Sequence, residues 1–89
     1  MRTYRKGINE EIRRGIDWSD RLIEGDTLST SSWTVGQGLT GDDATFDDIY
    51  SDINISGGTV GTTYTVTNDV VTTEGLSYTR SFKIQVVTR

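Results

Sequence analysis

A small all-β sandwich is the fold that this 89-residue sequence predicts, and three observations carry it. The C-terminal half alternates apolar and polar residues with a period of two. Glycine and aspartate turns punctuate the chain at short intervals. Proline is absent, and no convincing long helical pattern interrupts the series.

The last two strands are the clearest. In "TYTVTNDVVTT", Tyr64, Val66, Asn68, Val70 and Thr72 share one face, with Thr65, Thr67 and Asp69 opposite. In "LSYTRSFKIQVV", Leu76, Tyr78, Phe82, Ile84 and Val86 share one face, and Ser77, Thr79, Ser81, Lys83 and Gln85 share the other. β-Branched and aromatic residues in such alternation describe half-buried antiparallel strands. Between them "TTEGL" supplies Gly75 to a tight turn. Upstream, Gly57, Gly58 and Gly61 in "SGGTVGTTY" permit positive φ and a chain reversal. A phosphate-cradling loop would need a helix after these glycines, and the residues that follow read as strand. Tyr64 then stands where a sandwich places a tyrosine corner.

Earlier elements are shorter. "SDINIS" reads as a strand with Ile53 and Ile55 on one face; "LSTSSWTV" reads as another with Trp33 and Val35 inward; "GIDWS" reads as a first. The segment "GQGLTGDDATFDD" reads as loop, with Leu39 and Phe46 anchoring it to the core. The expected core includes Trp18, Trp33, Tyr64, Val66, Phe82 and Ile84. About six or seven short antiparallel strands with this spacing describe an immunoglobulin-like β-sandwich, with a small barrel as the alternative. Residues 16–89 form that domain in this reading.

Residues 1–15 read as a basic N-terminal arm. Ile8, Ile12 and Ile16 are spaced by four, Glu10 falls at helical spacing from Arg13 and Arg14, and Gly15 suits a helix cap. So short a helix is marginal alone, so the arm is expected to order against a partner, helical or extended. Arg2, Arg5, Lys6, Ile8, Ile12, Arg13 and Arg14, together with Arg21, are the expected partner-binding residues.

Charge is unevenly spread beneath the net of −4. Residues 1–16 carry +3, residues 17–52 carry nine acids against Arg21 alone for −8, and the remainder carries +1. A basic segment joined to an acidic body suits docking on an acidic neighbour, including a second copy. Nucleic acid is not an expected partner, because the body is acidic. No apolar run approaches a membrane span and no signal-peptide core is visible, so secretion and membrane insertion are not expected.

Chemistry is thinly represented. Histidine and cysteine are both absent, which removes the commonest neutral-pH base and the thiolate and imidazole metal ligands. Asp17, Asp20, Glu24 and Asp26 cluster in sequence, as do Asp42, Asp43, Asp47 and Asp48. Density of this kind suits Ca²⁺ or sugar hydrolysis, but no EF-hand spacing is present, and turn-forming aspartates that hydrogen-bond their own backbone account for most of it. No catalytic, cofactor or metal site is assigned. Trp18 and Trp33 fit a core better than a carbohydrate platform. Fifteen Thr and eight Ser suit the outer faces of strands.

Three blocks resemble a family of small virion proteins of tailed bacteriophages, described as fibre–tail adaptors. These are "IDWSDRLIEGDTLSTSSWTV", "ISGGTVGTTYTVTN" and "TTEGLSYTRSFKIQV", together covering roughly residues 16–87. Arg21 stands where the family pattern has a second Trp, and residues 1–15 depart from the usual lead-in. The resemblance implies a non-enzymatic virion structural protein, assembled in the host cytoplasm in multiple copies or as a homo-oligomer. It would bind capsid proteins as a decoration or cement protein, or tail and portal proteins as an adaptor. A carbohydrate-binding module on the virion surface is the alternative.

Overall fold

The computed structural model describes residues 2–88 and contains seven strands. They are β1 (Thr3–Gly7), β2 (Ile12–Asp17), β3 (Leu28–Val35), β4 (Leu39–Phe46), β5 (Tyr50–Gly57), β6 (Thr63–Thr72) and β7 (Ser77–Val87). A four-stranded sheet has the order β1-β7-β6-β3, and a three-stranded sheet has the order β2-β5-β4. The two pack as a sandwich. Alternation sets the inner faces: Tyr64, Val66, Asn68, Val70 and Thr72 of β6 are buried, as are Phe82, Ile84 and Val86 of β7 and Ile53 and Ile55 of β5.

The N-terminal residues depart from the expected arm. β1 lies parallel to β7, pairing Thr3 with Lys83 and Gly7 with Val87, whereas every other pairing is antiparallel. β2 pairs with β5 from Ile12↔Ile55 to Asp17↔Tyr50. The isoleucine spacing of four misleads because it is also a multiple of two: Ile12 and Ile16 sit on one face of a strand as readily as on a helix. Lys6 departs furthest from expectation. Its side chain is fully buried, and its Nζ donates to the carbonyls of Gly7 and Gly57 at 2.8 Å each.

β4 also departs from expectation. The segment expected as loop is an edge strand paired with β5, with its register broken between Asp42 and Thr45. Asp43 there has φ 55°, the one positive φ among the described non-glycine residues. Leu39 is buried as expected, but Phe46 is 44 % exposed and anchors nothing. Leu76 is also exposed, because it belongs to the turn before β7 rather than to the strand.

Gly57, Gly58, Gly61 and Gly75 all adopt positive φ. The Gly75 turn closes through Gly75 N–H to Thr72 O at 2.9 Å. Tyr64 is buried at the start of β6, and its hydroxyl accepts from the Thr59 N–H at 2.9 Å. That bond back to the chain five residues upstream is the geometry of a tyrosine corner.

Candidate interaction surface

Trp18 fixes one end of the sandwich. It is 1 % exposed, Tyr78 stacks on it at 6.4 Å, and the Arg80 guanidinium lies 5.3 Å from its ring centre. Its Nε1–H reaches Ser51 Oγ and Asn68 Oδ1, both at 3.1 Å. Asn68 Nδ2 in turn donates to Ser31 Oγ at 2.9 Å and to Ser32 O at 3.0 Å. A buried polar group is tolerated when its bonds are made, and this group joins β5 of one sheet to β3 and β6 of the other. Neither Ser51 nor Asn68 stands out in the sequence as a polar partner. Asn68 shares parity with the apolar face of its strand, and that is the one signal the sequence carries.

Above this bolt, three loops meet: residues 18–27, 47–49 and 73–76. The Trp18 N–H donates to Ile49 O at 2.7 Å, and the Leu28 N–H to Asp48 O at 2.8 Å. Thr73 N–H donates to Thr27 O at 2.9 Å. Aspartates stiffen all three. Asp17 Oδ1 accepts from the Ser19 N–H, and Asp47 Oδ1 accepts from the N–H groups of Ile49 and Tyr50. Asp26 is buried and its Oδ1 accepts from the Thr27 and Glu74 N–H groups and the Thr73 hydroxyl. The carboxylates are therefore turn formers, as their positions suggest. Among the described residues, no three His, Cys, Asp or Glu side chains gather as a metal site.

Their electrostatics follow from these contacts. Burial, the largest influence on Asp26, pushes its pKa up, but hydrogen bonds from Thr72, Thr73, Thr27 and Glu74 outweigh it and hold the pKa below the ordinary value. The Ser19 amide lowers that of Asp17, and Arg13 lowers that of Asp52. Folded values below the unfolded value of about 3.9 give stability that is complete above that pH. It is lost as pH falls through the lower folded values. The melting temperature is thus expected to hold from neutral pH to about 5 and to drop below about 4. Asp26→Asn should melt several degrees lower than the parent at pH 7, with the difference closing toward pH 3. Calorimetry across that range checks it; a constant offset at every pH would sink it.

The rigid loops carry exposed apolar side chains. Ile23 (52 % exposed), Ile49 and Leu76 sit in the loops, with Phe46 and Tyr50 flanking the 47–49 turn and Val71 near the end of β6. Of the exposed large apolar residues described, Val60 alone lies at the opposite end, between β5 and β6. Asp20, Glu24, Asp47, Asp48 and Glu74 lie in the same three loops, with Arg21 among them.

The residues expected to bind a partner are not gathered in one place. Arg2 and Arg5 are exposed on or beside β1, and Ile8 and Ile12 are half-buried against the core. Arg13 grips Asp52 with two hydrogen bonds and also reaches Asn54, Thr45 and the Asp43 carbonyl. It ties β2 and β5 to the broken register of β4. Arg14 lies 4.7 Å from the Tyr4 ring centre, and Arg21 is in the loop end. Trp33 is half-buried and meets Phe82 edge-on at 6.0 Å.

The fold and this surface define a small β-sandwich module that presents stiffened loops. Comparison with curated proteins finds no match. The family described as podophage GP4 fiber-tail adaptor protein gp77 matches residues 6–85, and the chain belongs to that family.

Proposed function

We propose that this chain is a non-enzymatic component of a phage tail that joins fibre and tail proteins, present there in multiple copies. Family membership supports the tail rather than the capsid lattice. The carrying structural observation is the concentration of exposed apolar residues at the loop end, in loops whose charged residues are mostly acidic. That surface fits an apolar patch with a Lys/Arg rim on a neighbouring virion protein, where rim charges steer encounter and apolar contacts hold. Rigid loops lose little freedom on docking.

The immunoglobulin-like character of the domain belongs to the same proposal. Strands β7-β6-β3 face β2-β5-β4, as in a constant-type sandwich whose first strand has moved to the opposite sheet. The Tyr64 bond supports it. A carbohydrate platform on Trp18 finds no support, since that ring is enclosed.

Ile23→Asp combined with Ile49→Asp tests the reading. Both side chains are exposed, so the melting temperature should stay within a few degrees of the parent. Incorporation into virions, quantified by mass spectrometry of separated tails and capsid shells, should fall at least tenfold. Full incorporation of the variant, or recovery of the parent chain with the shells, would overturn the proposal.

A further inference from the structure

A groove of about 420 Å³ runs between the two sheets on the side where β1 and β2 form their edges. Its apolar floor is Tyr4, Ile16 and Phe82; Arg2 and Arg80 line it with Gly15 and Asp17. Tyr4 and Phe82 meet edge-on at 5.5 Å, so the floor is fixed.

One wall is a strand edge on which no further strand pairs; of its outward carbonyls, those of Arg13 and Asp17 accept from the Arg14 and Arg80 guanidinium groups at 2.9 and 3.3 Å. The Trp18 N–H donates to Ile49 O, continuing the β2–β5 register beyond Asp17↔Tyr50. In an antiparallel ladder alternate residues turn their backbone groups to the same side. Ile12, Arg14, Ile16 and Trp18 therefore address β5, while Arg13, Gly15 and Asp17 turn theirs to the outer side. Two other edges are blunted by register shifts, β3 between Leu28 and Thr30 and β4 between Asp42 and Thr45. β1 is five residues long. β2 pairs in unbroken register over all six of its residues and is not blunted in that way.

We propose that the groove receives an extended segment of a neighbouring tail or fibre protein, which adds as a strand to β2. Backbone groups of Gly15 and Asp17 pair with it, and its alternate apolar side chains settle on Tyr4, Ile16 and Phe82. One carboxylate of the segment meets the guanidinium groups of Arg2 and Arg80. Arg2 stacks on Tyr4 at 5.7 Å, and Arg80 reaches the Asp17 carbonyl at 3.3 Å and Asp20 at 3.2 Å. Those contacts from Arg80 are long, so a well-placed carboxylate makes the stronger bond. The proposal rests on the adaptor reading and supplies it with a second contact, separate from the loop end.

The test places the photo-cross-linker p-benzoylphenylalanine at Asp17 in one variant and at Ile49 in another, each assembled into virions. Mass spectrometry of purified tails then reads the cross-links. A cross-link from position 17 into an acidic, extended segment of a different tail or fibre polypeptide supports the proposal. Adding Arg2→Glu should lower its yield at least tenfold. A cross-link from position 17 into a second copy of this chain, or none while position 49 cross-links, overturns the groove assignment and leaves the adaptor reading standing. Absence of the unlabelled chain from tails defeats the adaptor reading itself.

Discussion

Trp18→Ala is expected to lose about 3–5 kcal/mol of stability, the range for removing a large buried aromatic side chain. A chain of this length has about 4–13 kcal/mol in total, so the variant melts at least about 12 °C lower or fails to fold. Two separate losses contribute. Removing the indole empties the space beneath Tyr78 and Arg80, and it takes away the N–H that bonds Ser51 Oγ and Asn68 Oδ1, leaving Asn68 Oδ1 only the Ser51 hydroxyl. Trp18→Phe separates them: the ring volume is largely kept and the N–H is lost, so about 1–3 kcal/mol is expected. Urea titrations of both variants, followed by far-ultraviolet circular dichroism, check this. No loss for Trp18→Phe would show that the hydrogen bonds across the sheets contribute nothing beyond packing, and equal losses that packing contributes nothing beyond them.

Gly58→Ala is the second large effect. Gly58 has φ +95°, and a Cβ there would lie 2.7 Å from Val86 Cγ2 and 3.2 Å from both Leu39 Cδ1 and Tyr64 Cε2. Backbone strain of roughly 1–2 kcal/mol adds to overpacking of similar size, giving about 2–4 kcal/mol. Gly61 is the control, with φ +88° and no heavy atom within 4 Å of where a Cβ would lie. Gly61→Ala should show the strain alone, about 1–2 kcal/mol. The urea midpoint should therefore fall further for Gly58→Ala, with unchanged slope. An equal fall at positions 58 and 61 would mean that Val86 and its neighbours yield without cost.

Strands with one buried face were legible, and strands without one were not. β6 and β7 alternate along nearly their whole length, and their inner faces are the ones that alternation marks. β4 buries Leu39 and exposes the rest, so an edge strand with little to bury carries no period for a reader to find. β1 hid behind its charges. Tyr4, Lys6 and Ile8 share parity, but a lysine at an inner position is read as surface unless its amine is known to have acceptors. Arg13 was legible as a cation and not as a tie between three strands, because Asp52 and Asn54 lie some forty residues away in sequence. The "SGGT" and "YTVTN" blocks gain physical meaning together: Gly58 lets the chain pass over Val86, Tyr64 holds Thr59, and Asn68 completes the bonding of Trp18.

The parallel pairing of β1 with β7 has a mechanical consequence. Thr3 lies against Lys83 and Gly7 against Val87, so the first strand enters midway along the last and both finish side by side. Tension drawn between the start of β1 and the end of β7 slides the two strands lengthwise past each other. All five paired positions then bear the load together, rather than opening one after another as a peeled hairpin does. A load applied between these two strand ends would be resisted in shear.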